Sequence, residues 1–95
     1  MRVRDFQDLM RELYYERDGE RGKDKTLLWL AEEVKELSEA ARKNDERAVE
    51  EEVADVVAWA VSVANLYGVD VEAALKKKYP GHCGCCGESP CGCEK

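Results

Sequence analysis

The chain has 95 residues, of which 21 are acidic and 15 basic, for a formal net charge of −6, with five cysteines and a single histidine. That length suits one small domain with little core to spare, and the acidic surplus argues against a general nucleic-acid binder, which needs a concentrated basic surface. No stretch approaches the roughly 20 apolar residues of a membrane-spanning helix, and Met1-Arg2-Val3-Arg4-Asp5 lacks the apolar core of a signal peptide, so the expected setting is cytoplasmic with no membrane partner.

In chain order, Phe6, Leu9, Met10, Leu13 and Tyr14 recur at helical spacing and predict a first helix from about Val3 to Arg17. The polar segment 18–24, with glycines at 19 and 22, is expected to break it. A second helix should begin near Asp24 to Thr26, either of which suits a cap, and run to about Lys43. Asn44-Asp45 is a turn pair, and Asp45 can cap a third helix from about Glu46 to Tyr67, stopped by Gly68. Asp70 can cap a short fourth helix that reaches about Lys78, before Pro80-Gly81. So short a connection between helices two and three forces an antiparallel hairpin. The fold expected is therefore all-α: a hairpin with an N-terminal and a short C-terminal helix over residues 1–79, then a cysteine-rich tail over 80–95. One hairpin and one covering helix leave faces open, so a homodimer or larger helical bundle is expected.

The tail holds Cys83, Cys86, Cys91 and Cys93 among glycines, with Cys85 and His82 also within reach. Four thiolates suit a structural, tetrahedral Zn²⁺ that would staple a segment too short to fold on apolar burial. A flexible redox-active tail is the other reading. In a reducing compartment the clustering favours metal over disulfides.

Four acids carry the chemistry of the helical part. On helix two the apolar stripe is Leu27, Leu30, Ala31, Val34, Leu37 and Ala41. At about 100° per residue, Glu33 falls at its edge and Glu36 beside Glu33. On helix three the stripe is Val49, Val53, Val56, Ala60 and Val63; Glu52 falls inside it and Asp55 at its edge. Ionised carboxylates on a core face lose hydration unless a cation compensates. Register brings the two helices' acids together, since Glu36 lies eight residues before Asn44 and Glu52 seven after Asp45, with Glu33 and Asp55 eleven before and ten after. At 1.5 Å per residue the pairs sit roughly 11 and 16 Å from the turn. Glu-x-x-Glu is also an ordinary solvated helix pattern. It is Glu52 in the apolar stripe, the matched register, and the neighbouring Trp29 and Trp59 that favour a site of hard oxygens for Mg²⁺ or Mn²⁺.

Leu30-Ala31-Glu32-Glu33-Val34-Lys35-Glu36-Leu37, then Glu51-Glu52-Val53-Ala54-Asp55-Val56-Val57 after a spacer over 37–51, resembles the MazG-like all-α nucleoside triphosphate pyrophosphohydrolases. The likeness extends through Tyr67-Gly68-Val69-Asp70 into the last helix. It implies Mg²⁺-dependent cleavage of a nucleoside triphosphate between the α and β phosphates, giving the monophosphate and pyrophosphate in nucleotide-pool house-cleaning. Glu33, Glu36, Glu52 and Asp55 match the family's metal-ligand positions. Glu36 and Glu52 are the catalytic candidates, Glu36 as the group that orients or deprotonates water. Trp29 and Trp59 are candidates for the base or sugar, and Lys77 and Lys78 for the phosphates. After the last helix, Lys76-Lys77-Lys78-Tyr79-Pro80 is shorter than in many relatives and lacks their Asn and Arg, which puts phosphate contacts from this segment in doubt. The rival reading is a non-catalytic helical protein-binding module with a zinc-stapled docking tail. A di-iron bundle, built on Glu-x-x-His, is excluded because the only histidine lies in the tail.

Overall fold

The computed structural model describes residues 1–94. It contains four α-helices in order: α1 (Val3–Arg21), α2 (Lys23–Arg42), α3 (Glu46–Leu66) and α4 (Val71–Lys78). No strand occurs among the described residues. The α2–α3 hairpin is the main packing unit; α1 lies chiefly against α3, and α4 packs on α1. The hairpin turns as expected. Asn44 takes a left-handed conformation at φ 56, the Asp45 N–H donates back to the Ala40 carbonyl at 3.2 Å, and the Asp45 carboxylate caps α3 by accepting from Ala48 N at 3.1 Å. Asp70 caps α4 the same way, accepting from Ala73 N at 3.0 Å.

The first helix is where sequence and structure part. It runs four residues beyond the expected end at Arg17, through Gly19, to Arg21. A mid-helix glycine costs about 1 kcal/mol relative to alanine, but this turn carries a compensating pair. Asp18, 3% exposed, accepts from the Arg21 guanidinium at 2.6 Å, one turn along. The break falls at Gly22 alone, with φ 93, a conformation that side-chain-bearing residues avoid. Gly22 also starts α2, in place of the expected Asp24 or Thr26 cap: its carbonyl accepts from Thr26 N at 3.1 Å and from the Thr26 hydroxyl at 2.8 Å. Thr26 is wholly buried, and a hydroxyl can be buried there because the hydrogen bond satisfies it.

A second polar knot ties α1 to the α3–α4 corner. The Gln7 amide nitrogen donates to Asn65 Oδ1 at 2.9 Å and to the Val69 carbonyl at 2.7 Å, while its Oε1 accepts from Val71 N at 2.9 Å. Gln7 and Asn65 are each 4% exposed. Fully paired buried amides fix one register for the helices they join.

The apolar core within one chain is small. Met10, Ala40 and Val61 are buried, but the hairpin stripe expected to pack inward is largely open: Leu27, Val34 and Val53 are each more than 40% exposed, as are Val57, Leu13 and Leu28. The radius of gyration is 15.2 Å, against about 12–13 Å for a compact domain of this length. The accessible surface is 7234 Å², roughly 1,700 Å² more than the scaling for a folded monomer of 10.8 kDa gives. The apolar pattern is that of a bundle helix, and within one chain much of it stays exposed.

Candidate functional site

The hairpin brings Glu33, Glu36 and Glu52 together, with one carboxylate oxygen of each within 4.8 Å of the others. Glu33 and Glu52 are half-buried and Glu36 exposed. The Oε2 atoms of Glu33 and Glu52 are buried and accept no hydrogen bond. An unpaired buried carboxylate oxygen is costly. Gathered with a third acid, the two form a donor set able to hold a hard divalent cation. Burial first, then the neighbouring Glu36, pushes the Glu33 carboxyl up to about 7. Burial and Glu36 likewise raise Glu52 above the usual carboxylate range. The three acids cannot all ionise comfortably without a positive charge between them.

Of the four acids expected from the sequence, Asp55 stands apart. It is exposed and outside the tight group, though near enough that its charge helps to raise both Glu33 and Glu52. Helical register places Asp55 level with Glu33, but aspartate is one methylene shorter. The longer Glu52 reaches diagonally to the α2 pair, and Asp55 remains at the rim.

Asp55 also lines a neighbouring pocket of about 260 Å³ between α1 and the hairpin. Trp29 and Trp59 form one wall, with ring centroids 5.5 Å apart and planes tilted by 58°. The Arg21 guanidinium lies 5.0 Å from each ring centroid, within cation–π range. Tyr14, Arg17, Asp18 and Ser62 complete the polar lining. Sequence reasoning paired the tryptophans with the acids but missed Asp18 and Arg21, which it assigned to a loop. Their i,i+3 spacing was the available clue, hidden by Gly19 and Gly22. Lys77 and Lys78 do not line this pocket; they lie on α4, and the Lys78 ammonium sits 5.7 Å from the Tyr79 ring centroid. The cations on the pocket wall are Arg17 and Arg21.

A second candidate metal centre lies in the tail. The sulfurs of Cys83, Cys86, Cys91 and Cys93 lie within 4.8 Å of one another, with Cys83–Cys93 at 3.9 Å and Cys86–Cys91 at 4.0 Å. A tetrahedral Zn–S bond of about 2.3 Å implies sulfur–sulfur edges of about 3.8 Å. Cys85 and His82 fall outside the group. Backbone N–H groups point at the sulfurs, from Cys85 to Cys83 and from Gly92 to Cys86 at 3.4 Å each. The N–H groups of Cys86 and Cys85 bring the Cys83 thiol down to about 6, whereas crowding by the other thiols pushes Cys93 up to about 11. Four sulfurs at these spacings could hold a tetrahedral metal ion. The tail meets the end of α4 closely: a Cβ on Gly84 would sit 2.7 Å from the Lys78 carbonyl oxygen.

The carboxylate crowding has a measurable consequence. Folding holds Glu33 protonated up to about pH 7, where an ordinary glutamate ionises near 4.5, so its favourable contribution is complete below 4.5 and is lost as pH rises toward 7. In metal-free protein, Glu33→Gln is expected to raise the melting temperature by a few degrees at pH 8 and to change little at pH 5. Equal effects at both pH values in thermal melts would contradict the crowding.

The sequence model of the MazG nucleotide pyrophosphohydrolase domain matches residues 21–82, which include α2, α3, α4 and all three clustered glutamates. Among curated proteins, none matches the chain. With the matched region covering more than half its length and the acids converging on the hairpin, the chain belongs to the MazG nucleotide pyrophosphohydrolase domain family.

Proposed function

We propose that the protein hydrolyses a nucleoside triphosphate between its α and β phosphates, releasing the monophosphate and pyrophosphate, with Glu33, Glu36, Glu52 and Asp55 holding Mg²⁺ or Mn²⁺. The observation that carries this reading is the pair of buried, unpartnered oxygens on Glu33 and Glu52. When bound, the divalent ion neutralises phosphate charge and makes water more acidic. The chain's own residues divide the remaining work. Glu33 and Glu52, fixed by opposite helices of the hairpin, aim acceptor oxygens at one point. Glu36, the most exposed of the three, is placed to orient the attacking water and take its proton. Asp55, at the rim, links the acids to the pocket where Trp29 and Trp59 offer flat apolar surface to a base. Arg17 and Arg21 line that pocket, and Lys77 and Lys78 do not. House-cleaning of nucleotide pools is the role that fits such a reaction.

Two features complete the working unit. A second copy of the chain covers the open stripe of Leu27, Val34, Val53 and Val57, since the surplus surface of each chain is enough for the standard interface, about 800 Å² per partner. Cys83, Cys86, Cys91 and Cys93 hold a structural Zn²⁺ that locks residues 80–94 onto the end of α4. With no open coordination position this ion takes no part in the hydrolysis.

Two experiments bear on these claims. A panel of ribo- and deoxyribonucleoside triphosphates assayed with Mg²⁺ for pyrophosphate should show turnover of at least one member, and Glu52→Gln should reduce kcat by at least about 100-fold, an oriented charged group being worth several kcal/mol at a transition state. Turnover of none, or full activity in the variant, would sink the reading. Native mass spectrometry should show an even number of chains with one zinc each, and Cys91→Ser, unlike Cys85→Ser, should lose the zinc. A zinc-free monomer would overturn both additions.

A further inference from the structure

The pocket beside the acids contains a buried carboxylate that the hydrolysis does not use. Asp18 is 3% exposed and lines the cavity. Its Oδ1 accepts from Arg21 at 2.6 Å, and among the described residues its Oδ2 takes no hydrogen bond. It lies on α1, across the pocket from the hairpin that carries the glutamates, and N-terminal to the matched family region that begins at residue 21. The cavity, about 260 Å³, falls below the roughly 300–1,000 Å³ of pockets that take a whole drug-sized ligand. It has room for a nucleobase, with the sugar and phosphates left outside toward Asp55 and the glutamates.

Resting on the hydrolase reading above, we propose that Asp18 is a specificity-determining residue that selects bases bearing an exocyclic amine on the edge farthest from the sugar. A base that enters between α1 and the tryptophans with its phosphates at Asp55 presents that far edge to α1. There Asp18 Oδ2 is an acceptor with no donor of its own. An amine in that position donates to it and satisfies both groups. A carbonyl there sets two acceptors against each other inside a desolvated pocket, and a site built for one hydrogen-bonding pattern rejects the other strongly. Arg21 holds the carboxylate by one guanidinium arm, with its Cζ 5.0 Å from the centroid of each indole ring.

The test uses pairs of substrates that share ring size and differ at that edge: dCTP against dUTP, and dATP against dITP. Wild-type kcat/KM should favour the amino member of each pair by at least roughly tenfold, the effect of one hydrogen bond to a charged group. Asp18→Asn, whose amide both donates and accepts, should bring both ratios toward one. Each ratio is taken on a single preparation, so a partly unfolded variant does not distort it, and the wild-type ratios decide the matter if the variant does not fold. Equal or inverted wild-type ratios would overturn the proposal while leaving the hydrolase standing. Quenching of Trp29 and Trp59 fluorescence by dCMP and dUMP without metal separates the two claims. Preferential quenching by dCMP with no turnover of any triphosphate would support the pocket and remove the hydrolase; equal quenching would count against the pocket.

Discussion

Three glutamates held within 4.8 Å of each other set the terms for this molecule. Two of them bury an oxygen that no donor reaches, and the first response of the folded chain is to retain a proton on Glu33 up to about pH 7. Such an arrangement opposes folding at neutral pH and is tolerable only where something else holds the helices in place. That support comes from polar knots away from the acids. The Gln7–Asn65 pair ties α1 to α3, Thr26 closes on the Gly22 carbonyl, and Asp45 caps α3. Each fixes a helix end or crossing, and none of them engages the clustered glutamates. Stability and function are spatially separated here, a pattern expected where a site stores unfavourable charge.

The same hairpin explains why one chain looks incomplete. Its helices present Asp55 and the tryptophans to the pocket against α1 and leave an apolar stripe open, and the single short α4 packs on α1. A second copy that buries Val53 and Val57 would also stiffen the helices that carry Glu52 and Asp55. Oligomerisation and site geometry would then be linked through α3, without any residue crossing between chains.

Much of the fold was legible because its signals are local. The αL asparagine at the hairpin turn, the Asp45 and Asp70 caps and the Gly68 stop are written in single residues, and the helical period did the rest. The acids were legible because Glu52 breaks an apolar stripe and because the hairpin register is simple arithmetic. Three things were not. The end of α1 was set four residues early, since Gly19 is a breaker by propensity and the Asp18–Arg21 pair that overrides it is visible only once the helix exists. The misjudged end hid the polar wall of the pocket. The place of Asp55 outside the tight group was hidden for a different reason: height along a helix says nothing of side-chain reach, and aspartate is one methylene shorter than glutamate. The openness of the Val34 and Val53 stripe was likewise invisible, because periodicity identifies a face to be covered but not the chain that covers it.

The central claim, that these carboxylates exist to hold a divalent cation against a nucleotide, is tested most directly by anomalous diffraction from crystals grown with Mn²⁺ and a non-hydrolysable triphosphate. The account predicts a manganese peak about 2.0–2.2 Å from oxygens of Glu33 and Glu52, with the phosphates on its open side. A nucleotide seated without manganese at the glutamates, or manganese found only away from them, would contradict it.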